Sequence, residues 1–200
     1  MRRMGLTGGI ASGKSTVAAM LRELGFPVLQ ADLVSHKLME PGHAAHDEIL
    51  WEFGAELADA HGHIDRAKLA AMVFADPAKL TKLNQILHPR VAEATFRQFA
   101  QWERDGVRDA AFVEAALLVE AGFVNNLDGL VVAFCRPEQQ LERLLARGMS
   151  ELEARRRIAA QMPVEEKLQY ATERIDCSGT IEETRAQVQA LAERLHSSKS

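Results

Sequence analysis

Near the start of this 200-residue chain, the segment Gly8-Gly9-Ile10-Ala11-Ser12-Gly13-Lys14-Ser15-Thr16 contains a full match to the eight-residue pattern GxxxxGK[ST], from Gly8 to Ser15. At a background glycine usage of about 7%, three fixed positions and one two-fold choice coincide by accident in roughly one chain of this length in a hundred. The flanks constrain the segment further. Met4-Gly5-Leu6-Thr7 before it reads as a short strand, and Val17, Met20, Leu21 and Leu24 after it recur at helical spacing until Gly25 supplies a stop. A glycine-rich turn carrying an ordinary surface lysine would leave the order strand, loop, helix unexplained.

Residue types dictate what such a loop holds. Glycines let the backbone curl with its N–H groups inward, and the first helical turn adds unpaired N–H groups and the positive end of its dipole, so phosphate oxygens are held mainly by main chain. Gly9, Ile10, Ala11, Ser12, Gly13, Lys14, Ser15 and Thr16 are therefore the expected nucleotide contacts. Side chains matter at two of them: Lys14 is expected to reach the β- and γ-phosphates, and the Ser15 hydroxyl to ligate Mg²⁺. Thr16 serves the helix start.

Length and a 47% apolar content predict one substantial core with room for a smaller appended lobe. A net charge of −4 supplies no global basic field, so neither nucleic acid nor an anionic membrane is an expected partner. Cys135 and Cys177 form no CxxC pair, which favours a reducing compartment over a disulfide framework or a zinc site. Met1-Arg2-Arg3-Met4 runs straight into the first strand, and no apolar run approaches the roughly 18 residues a membrane span needs. The expectation is a soluble, cytoplasmic protein.

Four further apolar runs read as buried parallel strands: Phe26 to Gln30, Ala110 to Glu114, Gly129 to Cys135, and Arg174 to Cys177. Strands alternating with helical sequence imply an α/β fold, a doubly wound parallel five-stranded sheet with ligands at the carboxyl ends of its strands. The spacing is uneven. Between the second and third strands lie about 75 residues, far more than one crossover helix needs, reading as helices over Leu33 to Met39, His46 to Trp51, Arg66 to Phe74 and a broken Pro77 to Glu103. A second, arginine-rich surplus runs from Pro137 to Met162, and Ser197 to Ser200 reads as a disordered tail. The expected division is a nucleotide-binding core at 1–32, 106–136 and 166–200, a helical acceptor subdomain at 33–105 and a lid at 137–165.

Beyond the loop, Asp32 is read as ending the second strand, eighteen residues after Lys14, where its carboxylate would accept a hydroxyl proton from an acceptor. An N-cap for the following helix is the equal alternative. Glu114 closes the third strand and would hold a water on Mg²⁺, with a simple helix-start acid as its rival reading. In the arginine-rich stretch, Glu151 and Glu153 stand four residues before Arg155 and Arg157, the spacing of surface helix pairs. Arg143 and Arg147, four apart on one face, repel each other unless an anion lies over them, which makes Arg147 the lid arginine. His88, between Leu87 and Pro89, marks a bend after a helix.

Taken together, these segments resemble the dephospho-CoA kinase family from about Gly5 to Gly179. The family's TGGIxSGKS loop is present as Thr7 to Ser15, its Asp-Ala-Asp strand end as Gln30-Ala31-Asp32, its Leu-His-Pro bend as Leu87-His88-Pro89, and its acid-x-Pro-Leu-Leu-x-Glu segment as Glu114 to Glu120. Its Arg-Ile-x-x-Gln stretch is matched by Arg157 to Gln161, and its Ile-Asp-Asn-Ser-Gly loop by Ile175 to Gly179. Gln30, Ala116 and Cys177 depart from the family's Asp, Pro and Asn. The resemblance implies transfer of the γ-phosphate of ATP, bound with Mg²⁺, to the ribose 3′-hydroxyl of dephospho-CoA, with Asp32, Lys14 and Arg147 catalytic. It further implies Asp176 and Gly179 near the ATP, and Arg66, His88, Leu117 and Leu118 as acceptor contacts beside Asp32.

Two other classes compete. Another P-loop small-molecule kinase, for a nucleoside monophosphate or a hydroxylated metabolite, would differ only in the helical surplus. A GTP-dependent switch would need guanine-reading motifs, but the DxxG at Asp176 to Gly179 falls far from the loop and no NKxD occurs.

Overall fold

The computed structural model describes residues 1–197, so the tail expected at 198–200 lies outside the described residues. Five strands form one sheet: β1 (Arg2–Thr7), β2 (Val28–Gln30), β3 (Ala110–Glu114), β4 (Gly129–Phe134) and β5 (Glu173–Asp176). Every pairing is parallel and the order is β2-β3-β1-β4-β5, which puts β1 and its loop at the centre. The expected five-stranded parallel α/β sheet is thus the observed one.

Nine α-helices are described: α1 (Lys14–Glu23), α2 (Ala31–Leu38), α3 (Ala44–Phe53), α4 (Arg66–Phe74), α5 (Pro77–Arg104), α6 (Pro137–Ala146), α7 (Glu151–Ala159), α8 (Val164–Lys167) and α9 (Ile181–Ser197). Ser197, read from sequence as tail, is the last residue of α9.

The chain packs as two units, one comprising Met1–Gln30 and the chain from Phe99 onward, the other Ala31–Gln98. In the first, β3 and β4 are buried along almost their whole length, as a parallel sheet covered on both faces requires, while β1 opens on Arg2-Arg3 and the edge strand β5 keeps charged residues beside Ile175. Met4 and Leu6, Ala110 and Phe112, Val131 and Ala133, and Ile175 all turn toward one core that includes Val17, Leu21 and Val188 of α1 and α9. The alternation carries that face to each strand's carboxyl end, where Gln30, Glu114, Cys135 and Cys177 occupy the next positions in step.

The second unit has its own core, built by Ile49, Phe53, Leu69, Val73, Ile86 and Leu87 with Leu57 and Ile64 from the turn between α3 and α4. Here one expectation fails. The break foreseen within 77–103, and the helix end at Leu87-His88-Pro89, are absent: α5 is continuous from Pro77 to Arg104 with Pro89 inside it. Proline removes the N–H that would reach the Gln85 carbonyl and crowds that turn. The neighbouring Arg90 braces the next carbonyl along, its guanidinium donating to the Ile86 carbonyl at 2.7 Å while it pairs with Glu48 of α3 at 2.5 Å. Burial of Ile86 and Leu87 on the turn before the proline holds the helix together through it.

His46 ties α3 to the turn that follows. Its Nδ1 lies 2.8 Å from the Asp47 carboxylate and its Nε2 2.8 Å from the Gly62 carbonyl. Both partners only accept, so the doubly protonated imidazolium, with both ring nitrogens donating, is the form that satisfies both contacts. The Asp47 hydrogen bond raises its pKa, burial opposes, and the Gly62 carbonyl and Asp47 charge add to a net upward shift. The stabilisation is therefore complete below the ordinary histidine value of about 6.5 and fades as pH rises through the elevated one. We predict that the gap in melting temperature between wild type and His46→Gln narrows from pH ~6 to pH ~9. A gap that is constant with pH would contradict the assignment.

Candidate active site

The loop between β1 and α1 is shaped by two residues with positive φ, Ala11 at 58° and Gly13 at 102°. Gly13 begins α1 as a left-handed N-cap, and a side chain there would run into Cys177 at 2.8 Å. Ala11 bears a Cβ, so its left-handed state costs about 1–2 kcal/mol and has to be imposed from outside. The glycine pattern alone therefore does not curl this loop.

At its carboxyl end β3 presents Glu114, 4% exposed, on the α1 side of the sheet. Its Oε1 accepts from Lys14 Nζ at 2.8 Å and from Ser15 Oγ at 3.1 Å. Its Oε2 accepts from Gln30 Nε2 at 3.4 Å and lies 3.5 Å from Arg22. Burial alone would raise the carboxyl pKa, but the Lys14 hydrogen bond and charge, with Gln30 and Ser15, hold it below the usual range. Lys14, Ser15 and Glu114, chosen separately from the sequence, thus meet at one point. Glu114 is no helix-start acid; it closes its strand.

On the other side of α1's start lies a cavity of about 290 Å³, lined by Ala11, Gly13, Thr16, Arg147, Gly179 and Thr184 among others. It gathers Arg147 and Gly179 beside the loop. Arg143, read as its companion over an anion, is engaged differently: its guanidinium donates to the Ala11 carbonyl at 3.1 Å and the Cys177 carbonyl at 2.7 Å. Arg155 and Arg157 pair with Glu151 and Glu153 at 2.7 and 2.6 Å, the surface pairs their spacing predicts. Asp176 is exposed, and its Oδ1 accepts the Ser178 N–H at 2.8 Å in a turn next to the cavity-lining Cys177. Cys177, also at the cavity wall, has its thiol pushed up to about 11, first by burial and then by the neighbouring Cys135.

The remaining predicted residues fall in other places. Asp32 neither ends a strand nor caps a helix: β2 stops at Gln30, and Asp32 is the second residue of α2, exposed and in the second unit. Arg66 opens α4 and His88 sits within α5, both in that same unit; loss of solvent pushes the His88 imidazole below its ordinary value. Of the two leucines after β3, Leu118 is buried under Gly5 of β1, while Leu117 is exposed.

Sequence reasoning passed over Lys167. This lysine is wholly buried, donates to the Ala116 carbonyl at 2.6 Å and pairs with Glu120 at 2.8 Å. Ala116 also accepts from Thr7 Oγ1 at 3.1 Å, and Glu120 from the Met162 N–H at 3.2 Å, so the loop after β3 is strapped to α8 and to the end of β1.

A parallel sheet with its glycine loop on the central strand, a lysine and a hydroxyl at the start of the next helix and a carboxylate on the neighbouring strand end define a P-loop phosphate-binding protein. The chain belongs to the dephospho-CoA kinase family, whose model matches residues 2–183. It is 45% identical over 196 residues to the dephospho-CoA kinase of Aquifex aeolicus, covering 98% of each chain, and 42% identical over 192 residues to that of Bacillus anthracis, covering 96% of each. Among solved structures, a Thermus thermophilus protein superimposes with a TM-score of 0.78 at 36% identity, covering 96% of this chain and 97% of that one. The dephospho-CoA kinase of Campylobacter jejuni gives 0.73 at 27% identity, covering 96% of each. A shikimate kinase from Acinetobacter baumannii, 14% identical with a TM-score of 0.53 over 100% of this chain and 95% of that one, shares the fold.

The Lys167 strap is testable by stability. Lys167→Met keeps the volume but strips Ala116 and Glu120 of their donor, which costs about 1.5–3 kcal/mol, the Glu120 side chain being still partly in water. Urea denaturation should show a lowered midpoint with the slope unchanged, corresponding to that loss of free energy; an unchanged midpoint would remove Lys167 from the structural account.

Proposed function

We propose that this protein transfers the γ-phosphate of ATP to the ribose 3′-hydroxyl of dephospho-CoA, giving coenzyme A and ADP. The observation that carries the reading is the meeting of Lys14, Ser15 and Glu114 at the P-loop of a chain that belongs to this family over residues 2–183.

In this reading the phosphates lie against the loop from Gly9 to Thr16, held by its main-chain N–H groups other than those of Ile10, Ser12 and Thr16, which are engaged within the protein, and the nucleoside occupies the cavity bounded by Arg147 and Gly179. Lys14 exchanges its contact with Glu114 for the β- and γ-phosphate oxygens, and Arg147 adds positive charge as the transferring group departs. A serine hydroxyl and a carboxylate 3.1 Å apart form a hard-oxygen donor set suited to Mg²⁺, Ser15 directly and Glu114 through a water. The ion, bound with ATP, neutralises charge on the phosphates. Asp32 orients the acceptor hydroxyl and takes its proton. What supports that role is its exposure and its place two residues beyond Gln30, the register partner of Glu114. Arg66, His88 and Leu117, with Leu118 behind it, are proposed for the acceptor.

The surroundings agree with a reducing compartment such as the cytoplasm, where Cys135 and Cys177 stay free and buried. No described helix is long and apolar enough to cross a membrane. ATP and dephospho-CoA are the proposed partners.

The decisive experiment measures ADP release with dephospho-CoA against nucleoside monophosphates and shikimate-type alcohols. Dephospho-CoA should be preferred by at least about a hundredfold in kcat/KM; equal use of another alcohol would overturn the reading. Two variants test the roles. Asp32→Asn should lower kcat at least about a hundredfold with ATP affinity unchanged, and near-normal turnover would sink Asp32 as the base. Lys14→Ala should abolish transfer, and retained activity would mean the loop is not the donor site.

A further inference from the structure

The tip of the P-loop is gripped from outside. The Ile10 N–H donates to Gln161 Oε1 at 2.7 Å, and the Ile10 carbonyl accepts from Gln140 Nε2 at 2.9 Å. A single peptide residue thus has both polar groups held by two glutamine side chains, one from α6 and one just past α7. Gly9 makes room for this, since a Cβ there would strike Gln140 Nε2 at 2.5 Å. The next residue, Ala11, is the left-handed one, and its carbonyl is held by Arg143.

We propose that Gln140 and Gln161 are positioning residues for phosphoryl transfer: by fixing Ile10 they impose the left-handed turn at Ala11 and aim the loop's tip at the transferring phosphate. The assignment rests on the transfer reaction proposed above. The two amides act with opposite polarity, because the Ile10 N–H requires an acceptor and its carbonyl a donor. Neither side chain reaches the helix-start N–H groups of α1, so ground-state holding of a nucleotide that ends at the β-phosphate does not depend on them. A displaced tip costs rate rather than nucleotide affinity.

The test compares Gln161→Met, Gln140→Met, the double variant and Gln140→Lys by ADP titration, thermal melting and kcat with ATP and dephospho-CoA. Both single Met variants should lose at least about tenfold in kcat while ADP affinity stays within about twofold and melting is little changed. The double variant should lose little more than either single one, because both grip the same residue. Gln140→Lys, which keeps a donor, should recover most of the rate, whereas a purely structural role would show no such rescue. Rates within twofold of wild type in both Met variants would overturn the proposal, as would kcat and ADP affinity falling together. Should the wild type fail to phosphorylate dephospho-CoA, the function reading falls alone; the clamp is then judged by ATP binding relative to ADP in the same variants, and an unchanged ratio overturns it. Both glutamines are only partly buried, so folding of at least one variant keeps the test open.

Discussion

The contact between Lys14 and Glu114 is the one on which the rest of the site depends. It joins the first residue of α1 to the last residue of β3 across the sheet, at 2.8 Å and with the carboxylate almost wholly out of water. Such a pair is strongly favourable only relative to either partner left alone. The sheet order makes it: β3 lies directly against β1, Leu6 is the register partner of Glu114, and the chain returns from the loop into α1 on the face Glu114 occupies. Placing an ionised acid there fixes where a lysine has to stand. It also stores a cation beside the phosphate loop in a position from which an incoming polyanion can draw it.

A loop that works by main-chain N–H groups needs its conformation guaranteed, and the guarantee comes from residues far off in sequence. Gln140, Arg143 and Gln161 all reach back to Ile10 or Ala11. The arginine-rich surplus therefore divides its labour: Arg143 and Arg147 both line the cavity, Arg143 being also bound into the loop's backbone, and Arg155 and Arg157 are neutralised on the surface by their own helix. Spacing distinguishes the last two from the first two, but the difference between Arg143 and Arg147 exists only in the folded chain.

What the sequence made legible follows from periodicity and motif. β3 was readable to the residue, as was α4, because an apolar run and a helical stripe each had clear stops. The step of two along β3 carries the inward face from Ala110 and Phe112 to Glu114, so even the direction of that carboxylate is implicit in the run. Other features were not legible, for physical reasons. Pro89 argues for a break, and only the burial of Ile86 and Leu87 on the turn before it shows why α5 survives. Lys167 stands in Glu165-Glu166-Lys167, which any local rule reads as a solvated face, yet tertiary packing buries it completely. Asp32 shifted from strand end to helix because Ala31 already belongs to α2, and that boundary turns on hydrogen bonds no pattern records.

The departure at Gln30 gains a meaning from the same geometry. Gln30 and Glu114 are register partners at adjacent strand ends and point to the same face, so an acid at position 30 would set a second negative charge against a carboxylate already short of water. Like charges at that separation push one pKa upward. The amide instead donates to Glu114 and contributes to holding it ionised. A donor in place of a rival acid keeps Glu114 charged without any change to Glu114 itself. The substitution therefore reads as electrostatic tuning of the strand end, coupled to Lys14 through the hydrogen bonds that Glu114 accepts from Gln30 and from Lys14.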